Sequence, residues 1–148
     1  MLTFWRKWIA AFDAAAKCGD WSKATSYLAE DVAYAVTGAP FGCEVRGRDH
    51  VIAAFEKSIS NFDRKFDVRR WEAVNLKLSG DQAITALSKG DYELANRPPI
   101  TFAAQSIWVF CGDKISMMVD TYDLSEIHTQ ETLAWLDKYG EGMDPSYV

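Results

Sequence analysis

The chain has 148 residues, 49% of them hydrophobic and 14% aromatic, with a formal net charge of −5. That length suits one domain with one core, and the aromatic share suggests a deep core or an apolar cavity. The acidic balance, with no Lys/Arg stripe, argues against a nucleic-acid surface.

Met1 to Ala16 contains Arg6, Lys7 and Asp13 and lacks a clean apolar run, so it reads as a mature helix rather than a signal peptide. Phe4, Trp8 and Phe12, with Trp5 and Ile9, mark one face of a helix over about 3–17. Gly19 stops it, and Asp20 can cap a short second helix running through Leu28. Asp31 to Val36 reads as a strand carrying Tyr34. Thr37 to Gly47 holds three glycines and Pro40 and reads as a loop. Asp49 is the expected N-cap of a third helix, with Val51, Phe55, Ile59 and Phe62 as its buried stripe.

Beyond Phe62 the period changes. Strands are expected over Phe66–Leu78, Ala83–Leu94, Ile100–Phe110 and Lys114–Asp123. The third of these is apolar on both faces and is therefore placed centrally. A last helix is expected over Ser125–Tyr139, capped by Asp123, with Leu133 and Leu136 inward. Gly140 to Val148 reads as a loose tail. Helices gathered early and strands late give an α+β class, with a curved antiparallel sheet wrapped over the helices as a cone. The mouth of such a cone is a natural small-molecule pocket. No stretch is long enough to span a membrane.

Cys18, Cys43 and Cys111 are widely spaced and form no CxxC pair, so neither zinc nor a disulfide framework is expected. Buried or idle thiols in a reducing cytoplasm are the simplest reading, and no cofactor is expected. A glycine-rich phosphate loop, a metal-spaced histidine cluster and a GxSxG elbow are absent from the sequence. His50 reads as a surface residue, and His128, near the start of the last helix, either borders the mouth or lies on the surface. The basic cluster Arg64-Lys65 and Arg69-Arg70, diluted by Asp63 and Asp67, reads as a solvated strand face.

The candidate chemistry lies on two strands. Alternation puts Asp120 on one face with Met118 and Tyr122. A carboxylate between apolar and aromatic neighbours is costly to bury as the anion, and such groups are where acid–base chemistry tends to sit. Lys89 and Asp91 share a face of the second long strand with Leu87 and Glu93. If both faces point into the cone, two carboxylates meet with a cation between them, one as base and one as proton donor. That pair suits water activation with protonation of a leaving oxygen, or proton shuffling beside a carbonyl. The alternative is a solvent-facing Lys89–Asp91 pair contributing about 0–1 kcal/mol. Tyr34 is placed either to donate into the pocket or to be a core tyrosine with a satisfied hydroxyl. Met118, Tyr122, Trp108 and Phe41 are the expected pocket wall, and Trp5, Trp8 and Phe102 read as core.

The helical start, Leu28-Ala29-Glu30-Asp31-Val32, Arg46-Gly47-Arg48-Asp49 opening a helix, and Asp120-Thr121-Tyr122-Asp123-Leu124 closing the strands together resemble the nuclear transport factor 2-like (SnoaL-like) superfamily. The resemblance covers about residues 3–126. It implies a conical α+β fold, frequent homodimers and a pocket used by isomerases, cyclases, dehydratases and non-catalytic binders. Within it the chain is most similar to limonene-1,2-epoxide hydrolase. That likeness implies Asp120 as base, Asp91 as the acid on the epoxide oxygen, Lys89 as the bridge and Tyr34 as the residue positioning water. Val36 stands where that family has asparagine, and Lys89 where it has arginine, which alone forms the planar two-pronged bridge. The expected ligand is an apolar terpenoid-, steroid- or polyketide-like molecule. The expected assembly is a homodimer through the open sheet face. The rival expectation is a non-catalytic binding or assembly domain.

Overall fold

The computed structural model describes residues 1–38 and 40–148. Helix α1 (Leu2–Cys18) buries Trp5, Trp8, Ala11, Ala15 and Ala16. Gly19 ends it in the left-handed region, with its N–H on the Ala15 carbonyl. The Arg64 guanidinium reaches the same helix end. It donates to Ala16 O at 2.8 Å and Ala15 O at 3.3 Å, and pairs with Glu56 at 2.7 Å. Carbonyls that a helix leaves without partners are thereby satisfied.

Asp20 accepts from the Ser22 N–H, but α2 (Ser22–Thr25) is a single turn. The expected continuation to Leu28 does not form, because Leu28 already opens strand β1 (Leu28–Thr37). Tyr27 O takes the Ile115 N–H there, and tertiary pairing outweighs the weak propensity of so short a helix. The expected loop after β1 contains a short strand, β2 (Cys43–Arg46), antiparallel to β1 with Val36 opposite Cys43. Ala39, within that expected loop, lies outside the described residues. Gly38 sits at φ 74°, and a Cβ there would collide with the Tyr122 carbonyl oxygen, so only glycine fits this approach.

Helix α3 (Arg48–Asn61) starts directly after Gly47, which puts Asp49 in its first turn rather than at its cap. Its stripe of Val51, Phe55 and Ile59, continued by Phe62, is buried. A 3-10 turn, Asp63–Lys65, leads into four long strands: β3 (Val68–Ser79), β4 (Ala83–Glu93), β5 (Ile100–Cys111) and β6 (Lys114–Thr121). The sheet order is β2-β1-β6-β5-β4-β3, with β1 and β6 parallel and the other neighbours antiparallel. The sheet is curved and unclosed. Its concave side faces α1 and α3.

β5 lies inside the sheet, as its two apolar faces require. Ile100, Phe102, Ala104, Ser106, Trp108 and Phe110 alternate inward, while Ile107 on the outer face is 38% exposed. Met117, 43% exposed, lies on the same outer face of β6, where it pairs with Val109.

Helix α4 (Ile127–Tyr139) is capped by the Glu126 side chain, which accepts from Thr129 N–H at 3.0 Å. Asp123 instead closes a turn onto Ser125. The face turned to the sheet is Thr129, Thr132 and Trp135, not Leu133 and Leu136, which are half-buried. Trp135 donates to Pro98 O at 2.8 Å and Thr132 to Thr101 O at 3.1 Å, so the inner face is specified by hydrogen bonds as well as by apolar area. No helix among the described residues is long and apolar enough to cross a membrane.

Candidate active site

Between the sheet and helices α1 and α3 lies a cavity of about 160 Å³. Trp8, Phe12, Phe55, Phe62, Phe102 and Trp71 make much of its wall, and Phe41, Trp108, Met118 and Tyr122 line it as well. The four side chains expected as pocket wall therefore all reach one cavity.

Asp120 lies in this cavity. Register places it opposite Ser106 on β5 and beside Val36 on β1, so neighbouring strands bring hydroxyl groups to its carboxyl. Tyr34 donates to Oδ2 at 2.8 Å, and Ser106 donates to Oδ1 in a short hydrogen bond. Ser88 on β4 donates in turn to Ser106 at 2.8 Å. Asp120 keeps some accessible surface, and that surface belongs to the cavity wall. Enclosure by protein pushes its pKa up, and the Ser106 and Tyr34 hydrogen bonds only partly offset this. Burial, aided by the Asp120 charge, also pushes the Tyr34 phenol well up, so it stays a proton donor at neutral pH.

Lys89 and Asp91 do not join this group. In β4 the residues turned into the cavity are Ser88 and Tyr92, with Gly90 between them against Trp71. Alternation then sends Lys89 and Asp91 to the outer face, where they pair at 3.6 Å and are 41% and 37% exposed. Thr101 donates to Asp91 at 2.8 Å. That bond, helped by Lys89 and Arg70, holds Asp91 below the usual carboxylate range. An ionised surface carboxylate has no proton to give at neutral pH. The expected two-carboxylate bridge is thus corrected to one carboxylate with neutral hydroxyl partners. The charges Lys89, Asp91 and Glu93 on one face are themselves the signal of a solvent side.

Arg69 corrects a second expectation. Its side chain is 14% exposed, faces the cavity, and binds Asp63 at 2.5 Å and Asp13 at 3.5 Å. Arg70, next in the strand, is 65% exposed and pairs with Glu93. Tyr92 donates to Asp63 at 2.8 Å and accepts from Trp71 Nε1 at 2.7 Å. The cavity therefore has a second polar region, built on the sheet edge away from Asp120. The remaining candidates stay outside: His128 pairs with Glu131 in solvent, and exposed His50 lies 3.1 Å from Arg46 O. Among the described residues no three His, Cys, Asp or Glu side chains gather as a metal site.

The expected loose tail is also a wall. Pro145 and Tyr147 line the cavity, and the Tyr147 ring meets Tyr34 edge-on at 5.4 Å. Sequence reasoning missed Ser88, Ser106, Asp63, Arg69 and Tyr147. The serines were legible in principle, since Ser106 shares a face with Trp108 and Ala104. Tyr147 was not, because nothing local fixes where an irregular segment folds back.

The SnoaL-like domain profile matches residues 5–118. The chain belongs to the SnoaL-like domain family. No protein of curated function matches this SnoaL-like domain. Several solved structures share its fold. A candidate isomerase from Rhodopseudomonas palustris superposes with a TM-score of 0.70 at 14% identity, over 88% of this chain and 96% of the other. An NTF2-like protein of unknown function from Burkholderia pseudomallei K96243 gives 0.66 at 20%, over 90% and 95%. An LEH-like epoxide hydrolase from M. tuberculosis gives 0.62 at 13%, over 90% and 92%. At these identities the likeness is one of fold, and the nuclear transport factor 2-like architecture is what the comparison establishes.

Proposed function

We propose that this SnoaL-like domain is a small cofactor-independent enzyme in which Asp120 moves a proton on an apolar terpenoid-, steroid- or polyketide-like substrate. The observation that carries the reading is an enclosed carboxylate with no cation beside it, raised in pKa, at the wall of an aromatic cavity. Tyr34 and Ser106 hold its two oxygens in fixed directions, which orients the base without giving it a counter-charge. With Asp91 outside, a one-base scheme of isomerisation or cyclisation, with proton abstraction beside a carbonyl, suits the site better than epoxide hydrolysis with a carboxylic-acid partner. The exposed apolar side chains Ile107 and Met117 on the outer sheet face support a homodimer through that face, which sedimentation equilibrium tests directly.

The deciding experiment follows hydrogen–deuterium exchange at the α-carbon of a panel of cyclic ketones and enones by NMR, with a parallel panel of cyclic and terpene epoxides. Wild-type exchange should fall by about 10²–10⁴-fold in Asp120→Asn. Diol from an epoxide, lost in the same variant, would move the assignment to hydrolysis. Ligand binding with no turnover of either panel would make the domain a non-catalytic binder.

A further inference from the structure

The segment after α4 is fastened to α3. Asp144 N–H donates to Asn61 O at 3.1 Å, and Ser58 Oγ donates to Pro145 O at 2.8 Å. Lys57 Nζ donates to Ser146 Oγ at 2.7 Å and pairs with Asp144 at 3.5 Å. All of these anchors lie at the C-terminal end of α3. That helix also supplies Phe55, Ser58 and Ile59 to the cavity wall. Pro145 fixes one backbone angle in the span, which limits the paths the segment can take. Its next residues bring Tyr147 against Tyr34, the hydroxyl partner of Asp120. The fastening is polar and half exposed, whereas the cargo is aromatic and turned inward. A segment so held detaches more easily than a core element.

We propose that residues 144–147 are a strap closing the Asp120 end of the cavity, and that Tyr147 is the specificity-determining wall a ligand must lie against or displace. The inference rests on the reading of the cavity as a ligand site, but not on any turnover. The groups facing Asp120 are Tyr34 from β1, Ser106 from β5, Cys43 from β2, Tyr122 just beyond β6 and Tyr147 from the strap. Burial pushes the Cys43 thiol and the three phenols up, so all are neutral at ordinary pH. No cation stands among them. Of these neighbours Tyr147 is the one carried on a detachable segment, so lifting it opens Asp120 to water.

The test uses the full chain and the neutral probe N-phenyl-1-naphthylamine, in wild type, Tyr147→Ala and Lys57→Met. Stopped-flow fluorescence reads the association rate, and carbon-13 NMR reads the Asp120 carboxyl titration. Minor open states are populated at about 0.1–10%, so removing the wall should raise the association rate by about tenfold or more. The Asp120 midpoint should move down toward an ordinary carboxylate value. Lys57→Met should shift both in the same direction by less. If Tyr147→Ala does not fold, Lys57→Met at the surface decides alone. Folded variants that leave both readouts at wild-type values overturn the strap. Absence of probe binding in every protein would instead sink the ligand reading, while the titration still decides whether Tyr147 seals Asp120.

Discussion

Gly90 lies between Lys89 and Asp91, and the structure gives it a role that those charges lack. Register puts it opposite Trp71, and an added Cβ would stand 2.5, 2.7 and 2.8 Å from Trp71 Cε2, Cζ2 and Cδ2. Ordinary carbon–carbon contacts are about 3.5–4.0 Å, so the indole must retreat by about 1 Å. Its Nε1 is bonded to Tyr92 OH at 2.7 Å, and a move of that size breaks the bond. Overpacking costs about 1–3 kcal/mol and the lost hydrogen bond about 0.5–1.5, so Gly90→Ala should destabilise by about 2–4 kcal/mol. For a chain of this size that is a fall in Tm of about 5–15 °C. The sign is informative, because alanine in place of glycine inside a strand otherwise stabilises by roughly 0.5–1 kcal/mol. Thermal unfolding by circular dichroism measures the effect, and Trp71→Leu supplies the control. In that background Gly90→Ala should be nearly neutral, with a coupling of about 2 kcal/mol or more across the cycle. A Tm that stays put or rises, or an equal loss in the Trp71→Leu background, would refute the reasoning.

The other predictions concern charge. Asp120→Asn should stabilise the fold at neutral pH while removing the proposed proton transfer. The folded pKa of Asp120 lies above its unfolded value of 3.8, so the carboxyl favours folding below that pH. That contribution is lost as pH rises through the folded pKa, at about 1.4 kcal/mol for each pH unit separating the folded and unfolded values. Urea titrations should therefore show the variant gaining over wild type toward neutral pH and losing the advantage near pH 4; a constant offset would count against enclosure of the carboxyl. Arg69→Met should cost about 3–5 kcal/mol in the same assay, because it strands the buried Asp63 carboxylate. A loss below about 1 kcal/mol would mean that water already reaches the pair. Lys89→Met and Asp91→Asn, both on the outer face, should change stability by at most about 1 kcal/mol and leave any α-proton exchange intact. Exchange lost in Asp91→Asn would return that residue to the site.

Much of the architecture was legible because apolar period carries it. The stripe Val51, Phe55, Ile59, Phe62 became the buried face of α3, and two-sided apolarity put β5 inside the sheet. Alternation also set Asp120 on the face of Met118 and Tyr122, which line one cavity. What alternation cannot supply is the sign of a face. It grouped Lys89 with Asp91 correctly and left open which way they point; Ser88 and Tyr92 turned inward instead. β2 was hidden because four residues between glycines carry no period of their own, and its pairing comes from β1. Arg69 was read as solvated because local charge says nothing about a buried partner arriving from the preceding turn.

The contrast between the two polar regions bears on how Asp120 stays basic. A cation against a carboxylate favours the anion and lowers its proton affinity. The cavity contains such a cation in Arg69, but Asp63 and Asp13 hold it. Asp120 receives hydroxyl donors from Tyr34 and Ser106 instead, and these fix its direction while enclosure keeps its pKa raised. Moving the cation across would steady the fold and weaken the base. Had Lys89 bridged Asp120 as the two-carboxylate scheme requires, the same loss would have followed. Charge pairing on one side of the cavity and a hydroxyl-held carboxylate on the other leave the Asp120 pKa raised, at a cost in stability that Asp120→Asn should return, and the proposed proton transfer would draw on that raised pKa.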